Sequence, residues 1–74
     1  MKDDIRKQTY IIIRKNGQYL AGRKWFSNEL IWSWSVYEAW WTRDKEEARI
    51  VARTVGGVMV LFNPIVNQKQ VIGT

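Results

Sequence analysis

The sequence predicts an α+β fold: a three- to four-stranded antiparallel sheet in the order β-β-β-α-β, with one helix packed on one face. Three features predict it. Asn16-Gly17 separates two β-branched and aromatic runs and is a strong hairpin signal, because a type I′ turn needs positive φ at both central residues. Asp44-Lys45-Glu46-Glu47 opens a segment in which Ala48, Val51, Ala52 and Val55 recur at helical spacing before Gly56-Gly57. Val58-Met59-Val60-Leu61-Phe62 follows as a short, nearly continuous apolar run suited to a buried strand.

The elements follow in chain order. Residues 1–8 are polar and are expected to form a flexible N-terminal segment. Thr9 to Lys15 reads as the first strand, and Gln18 to Arg23 returns as the second. A two-residue turn fixes their register, with Lys15 facing Gln18, Arg14 facing Tyr19, and so on to Tyr10 facing Arg23. Ile11, Ile13 and Leu20 then form the core face. Tyr10, Ile12, Arg14, Tyr19, Ala21 and Arg23 share the other face, which one helix leaves open to solvent or to another molecule.

Trp25-Phe26 ends or extends the second strand, and Ser27-Asn28-Glu29 turns the chain. Leu30-Ile31-Trp32-Ser33-Trp34 alternates like a third strand. Ser35-Val36-Tyr37-Glu38 matches a capping box, in which the Ser hydroxyl and a Glu three residues on satisfy orphan amides, so residues 35–39 read as one helical turn. Trp40-Trp41-Thr42 is extended. The helix from Asp44 has its own capping box and acidic residues suited to the positive end of its dipole. Gly56-Gly57 supplies the left-handed stop. Asn63-Pro64 breaks the strand after it. The expected organisation is a single domain over residues 9–62, with residues 63–74 forming a C-terminal extension or edge hairpin.

Composition narrows the chemistry. The chain has 74 residues, five tryptophans and three tyrosines, but no histidine and no cysteine. That removes the commonest general base, thiol nucleophile and metal ligands. It also removes any disulfide. Glu38, Asp44 and Glu47 have capping roles, and no pair of carboxylates converges for acid–base work. No Gly-rich phosphate loop is present. The expectation is a protein that is not an enzyme and holds no cofactor or metal. It lacks a signal region and an apolar run long enough to span a bilayer, so the expected address is the cytoplasm, with no membrane partner.

Two surfaces are candidates for binding. The net charge of +5 lies wholly within residues 1–24, while residues 25–74 balance. On that basic third, Tyr10, Arg14, Lys15, Tyr19, Arg23 and Lys24 form a candidate nucleic-acid platform of rings and cations. Ordinary cross-strand Tyr–Arg pairs on a solvated hairpin would have the same sequence. The second surface is a candidate protein interface drawn from Trp25, Trp32, Trp34, Trp40 and Trp41. A globule this small is expected to enclose about three of these rings and leave one or two outside. Trp32 and Trp34 should share a face, whereas adjacent Trp40 and Trp41 should point to opposite faces. The expected partner is another protein or a second copy of the chain, with nucleic acid as the alternative.

The run Tyr10-Ile11-Ile12-Ile13-Arg14-Lys15-Asn16-Gly17-Gln18-Tyr19-Leu20, with Trp34, Ala39, Glu46-Glu47-Ala48, Ala52 and Gly56-Gly57, resembles a loose group of small phage and prophage proteins of unknown function. The resemblance covers residues 9–60. The further tryptophans and the segment after Pro64 fall outside it. It implies the fold and a mobile-element origin. An accessory role follows as an expectation, in which the chain docks on a host or phage protein, for instance to inhibit a host defence system. The order of strands and helix also resembles, by topology alone, the DNA-binding arm domain of phage integrases.

Overall fold

The computed structural model describes residues 9–24, 27–65 and 67–72. The expectations for residues 1–8, Trp25 and Phe26 lie outside these. The chain runs β1 (Tyr10–Lys15), β2 (Gln18–Lys24), β3 (Glu29–Ser33), a 3-10 turn (Val36–Glu38), β4 (Trp41–Thr42), α1 (Lys45–Val55), β5 (Val58–Asn63) and β6 (Gln68–Ile72). Among the described residues the fold is α+β, with an antiparallel sheet and one α-helix. The described residues form a sheet of six strands rather than three or four, ordered β3-β2-β1-β5-β6, with β4 paired to β1 outside that path. β4 has only two residues. β6 begins in the polar run Gln68-Lys69-Gln70, which carries no apolar alternation to announce a strand. No described helix is long and apolar enough to cross a membrane.

The Asn16-Gly17 turn has φ of 54° and 81°, as a type I′ turn requires. Pairing of β1 with β2 runs only through Lys15–Gln18 and Arg14–Tyr19. The four further pairs expected from the turn are replaced. β4 takes that edge of β1 instead, with Thr42 opposite Ile11 and Trp41 opposite Ile12. The Trp40 N–H donates to the Leu20 carbonyl at 2.7 Å, tying β4 to the departing strand. β2 continues outward and pairs with β3 instead. A turn sets register where strands meet, but not how far they stay together.

β2 also carries an irregularity. Leu20 lies opposite Trp32 and Gly22 opposite Ile31, so Ala21 is an extra residue, a β-bulge. The side-chain alternation resets there. Arg23, opposite Leu30, comes to the same side as Leu20 and Trp32, not the side of Arg14 and Tyr19.

Both sides of the sheet have a core. On one side α1 covers Ile11, Ile13, Leu20 and Met59 with Ala48, Ala52 and Val55, and Trp32, Trp40 and Val51 pack around them. The small alanines let the helix lie close. A Cβ on Gly57 would stand 2.8 Å from Ile13 Cγ2 and 2.9 Å from the Arg14 carbonyl, so only glycine fits where the chain re-enters the sheet. On the other side Val36, from the 3-10 turn, is buried with Ile12, Tyr19, Val60 and Phe62. The face expected to lie open is therefore partly roofed by residues 36–39, because Val36 is the one strongly apolar residue of the turn and must bury itself somewhere.

Both turn starts use an added hydroxyl. Asp44 accepts from the Glu46 and Glu47 amides, and Ser35 accepts from the Tyr37 amide. Neither glutamate reaches the amide of its own cap. Glu47 accepts from Thr42 Oγ1 at 2.7 Å, and that oxygen accepts from the Asp44 N–H at 3.1 Å. Ser33 stands between Glu38 and the Ser35 N–H in the same way. α1 ends at Gly56, with φ of 75°, and Gly57 N–H returns to the Ala52 carbonyl.

Candidate interaction surface

The six residues of the basic platform do not form one surface. Tyr19 is buried, at 8% exposure, in the core beneath the 3-10 turn. Its cross-strand neighbour Arg14 is half-buried on the same side. Lys15 donates to the Val55 carbonyl at 3.0 Å and so serves the C-terminus of α1. Lys24 pairs with Glu29 at 3.0 Å. Arg23 is exposed on the helix side of the sheet, turned there by the bulge. Tyr10 remains on the roofed side, at the far end of β1 from Arg14.

The tryptophans separate as well. Trp32 and Trp40 are half-buried against the helix-side core. Trp34 lies just beyond the end of β3, 74% exposed, with its ring at the Gly17 turn. Trp32 and Trp34 therefore do not act as one strand face. Trp40 and Trp41 do diverge: Trp41, opposite Ile12, is 49% exposed on the roofed side.

Trp41 belongs to a ring cluster that strand pairing and the 3-10 turn assemble together. Its ring centroid lies 5.0 Å from Tyr10. Tyr10 lies 5.7 Å from Phe62, edge to face. Phe62 lies 5.9 Å from Tyr37, again edge to face. Such spacings favour aromatic pairs beyond the area they bury. Phe62 is fully buried and holds the centre, while the outer rings Trp41 and Tyr37 are 49% and 67% exposed. The backbone explains the assembly. Tyr10 faces Phe62 across β1 and β5, Trp41 faces Ile12 across β4 and β1, and the buried Val36 brings its neighbour Tyr37 down onto Phe62.

Cations and apolar side chains surround the rings. The Arg43 guanidinium sits 5.2 Å from the Trp41 ring centroid, a cation–π contact. β6 places Lys69 opposite Phe62 and the exposed Val71 opposite Val60. Val58, also exposed, faces Arg14. The arrangement offers two exposed rings with fixed orientation, a buried ring that stiffens them, and positive charge at the margin. Tyr37, Phe62, Arg43 and Lys69 are members that the sequence reading did not single out. Only the Val36-Tyr37 step of the capped turn hinted at them, since one of two adjacent side chains must stay outside when the other is buried.

The chain matches no protein-family model, no curated protein and no solved structure.

Proposed function

We propose that the chain is a non-catalytic accessory protein of phage or mobile-element type that acts by docking a host or phage protein, an inhibitor of a host defence system being one form. The observation that carries this reading is the cluster Trp41–Tyr10–Phe62–Tyr37, buried at its centre and exposed at both ends. Pre-oriented aromatic side chains beside an arginine are the usual anchors of protein interfaces, because they bury large area at little conformational cost. The resemblance of the residue pattern to small phage and prophage proteins supplies the proposed origin.

The test is capture from a host lysate by immobilised wild type, Trp41→Ala, Tyr37→Ala and Ile50→Ala. Ile50 is an exposed apolar residue on α1, away from the rings. A stoichiometric partner retained by wild type and Ile50→Ala, and lost from both ring variants while they remain folded, supports the reading. A partner retained equally by all four removes the ring face from it.

Arg43 and Lys69 beside the rings, with Arg14 at the other end of β1 on the same side of the sheet, favour a second reading, in which single-stranded nucleic acid stacks on Trp41 and Tyr37. That reading requires an oligonucleotide mobility shift that weakens steeply with salt and is lost on Arg14→Ala with Lys69→Ala. Unchanged mobility at low salt excludes it.

A further inference from the structure

Among the described residues, β3 and β6 are the outer strands of the sheet. An outer strand leaves one row of amides and carbonyls available to another chain. The two edges are guarded differently. β6 begins with the exposed polar residues Gln68, Lys69 and Gln70, and an edge lysine opposes further pairing. β3 reads Glu29-Leu30-Ile31-Trp32-Ser33 and carries neither lysine nor proline. Its one charge, Glu29, is already engaged by Lys24. Leu30 and Ile31 are 36% and 40% exposed.

We infer that two copies of this chain pair through β3, antiparallel, about a two-fold axis at Ile31. The occupant follows from the strand's own sequence. Only a register centred on Ile31 matches all five residues, and it is self-complementary. It sets each Leu30 beside Trp32 of the other copy, each Glu29 beside Ser33, and Ile31 beside Ile31. No like charges face each other, which a cross-strand pair would penalise.

The surroundings of β3 fit the same partner. Leu30 and Trp32 alternate onto one side of β3, the side to which the Ala21 bulge brings Arg23, so paired strands continue one apolar row across the axis. A groove of about 380 Å³ borders β3 on that side, lined by Leu20, Arg23, Leu30, Trp40, Val51 and Val55. α1 packs on β1, β4 and β5 and supplies Val51 and Val55 as one wall of this groove. Trp32 of the second copy, standing beside Leu30, becomes its missing wall. The interface is separate from the aromatic cluster and does not depend on that cluster's role.

Sedimentation equilibrium of the full chain from micromolar to millimolar concentration tests the pairing. Wild type should approach twice the chain mass. Ile31→Lys and Ile31→Glu, each folded by circular dichroism because the side chain is already exposed, should sediment at the mass of one chain. Mixed one to one, they should regain twice that mass, since residue 31 meets residue 31 at the axis. Amide exchange gives a second reading on wild type: β3 amides should slow with rising concentration while β6 amides do not change. A wild type that stays at single mass throughout, or a Lys variant that still doubles, overturns the proposal. So does a mixture of folded variants that fails to associate.

Discussion

Ser33 and Thr42 perform one task at two helix starts. Each lies two residues before an N-cap, accepts the cap's N–H at 3.1 Å, and donates to the glutamate three residues after the cap. The hydroxyl lengthens the capping box by one link and anchors the helix start to the strand before it. The two should not cost the same to remove. Thr42 is 8% exposed and starts an 11-residue helix, whereas Ser33 is half-buried and starts a 3-residue turn. Thr42→Val should lower stability in urea unfolding by about 1–2 kcal/mol, since it leaves the Asp44 amide and Glu47 short of a partner. Ser33→Ala should cost less than half of that. Glycines divide in the same local way. Gly57→Ala should destabilise by at least about 2 kcal/mol, because its Cβ meets backbone that cannot yield. Gly22→Ala should be neutral or stabilising by up to about 1 kcal/mol, since the site is open and the unfolded chain loses freedom.

Elements hold one another through few but specific ties. Lys15, at the end of β1, donates to the last turn of α1, where the helix dipole concentrates negative charge. A strand residue thus caps a helix 40 positions away in sequence. Lys15→Met keeps the stem and removes the charge. It should lower stability by about 0.5–1 kcal/mol, an effect that shrinks in high salt. The measurement is the urea midpoint at low and high salt, and a salt-independent loss would point to packing instead. β4 illustrates the converse: two residues suffice as a strand because the pairs with Ile11 and Ile12 are supplied by β1 and the Trp40–Leu20 bond closes the other side.

Across the whole molecule, the sheet is the wall between two unequal cores. α1 covers one side with small side chains; a three-residue turn and a run of rings cover the other. Phe62 belongs to the second core and to the aromatic cluster at once. Phe62→Ala should cost about 3–5 kcal/mol, a large share of the stability of a domain this size. Its thermal midpoint should fall steeply, and any loss of partner binding in that variant would report unfolding. Trp41→Ala removes a half-exposed ring and should cost about 1 kcal/mol or less, given that exposed cation–π and aromatic contacts are individually weak. Comparing the two in thermal melts separates the rings that hold the protein from those that face outward.

Everything that depends on neighbours in the chain was legible in the order of the amino acids. Asn16-Gly17 dictated the hairpin turn, Asp44 and Gly56 the limits of α1, the spacing of Ala48, Ala52 and Val55 its buried stripe, and residues 58–62 a buried strand. The neighbouring tryptophans Trp40 and Trp41 had to diverge. The rest depends on which strand lies beside which. The Ala21 bulge moved Arg23 off the face of Arg14, β4 displaced β2 from β1, and Val36 found its pocket under a turn that propensity alone would leave in solvent. The Trp41–Tyr10–Phe62–Tyr37 cluster draws on four separate stretches of chain, so no local pattern could announce it. Side-chain alternation is a local rule, and a single extra residue or an intervening strand resets it for everything that follows.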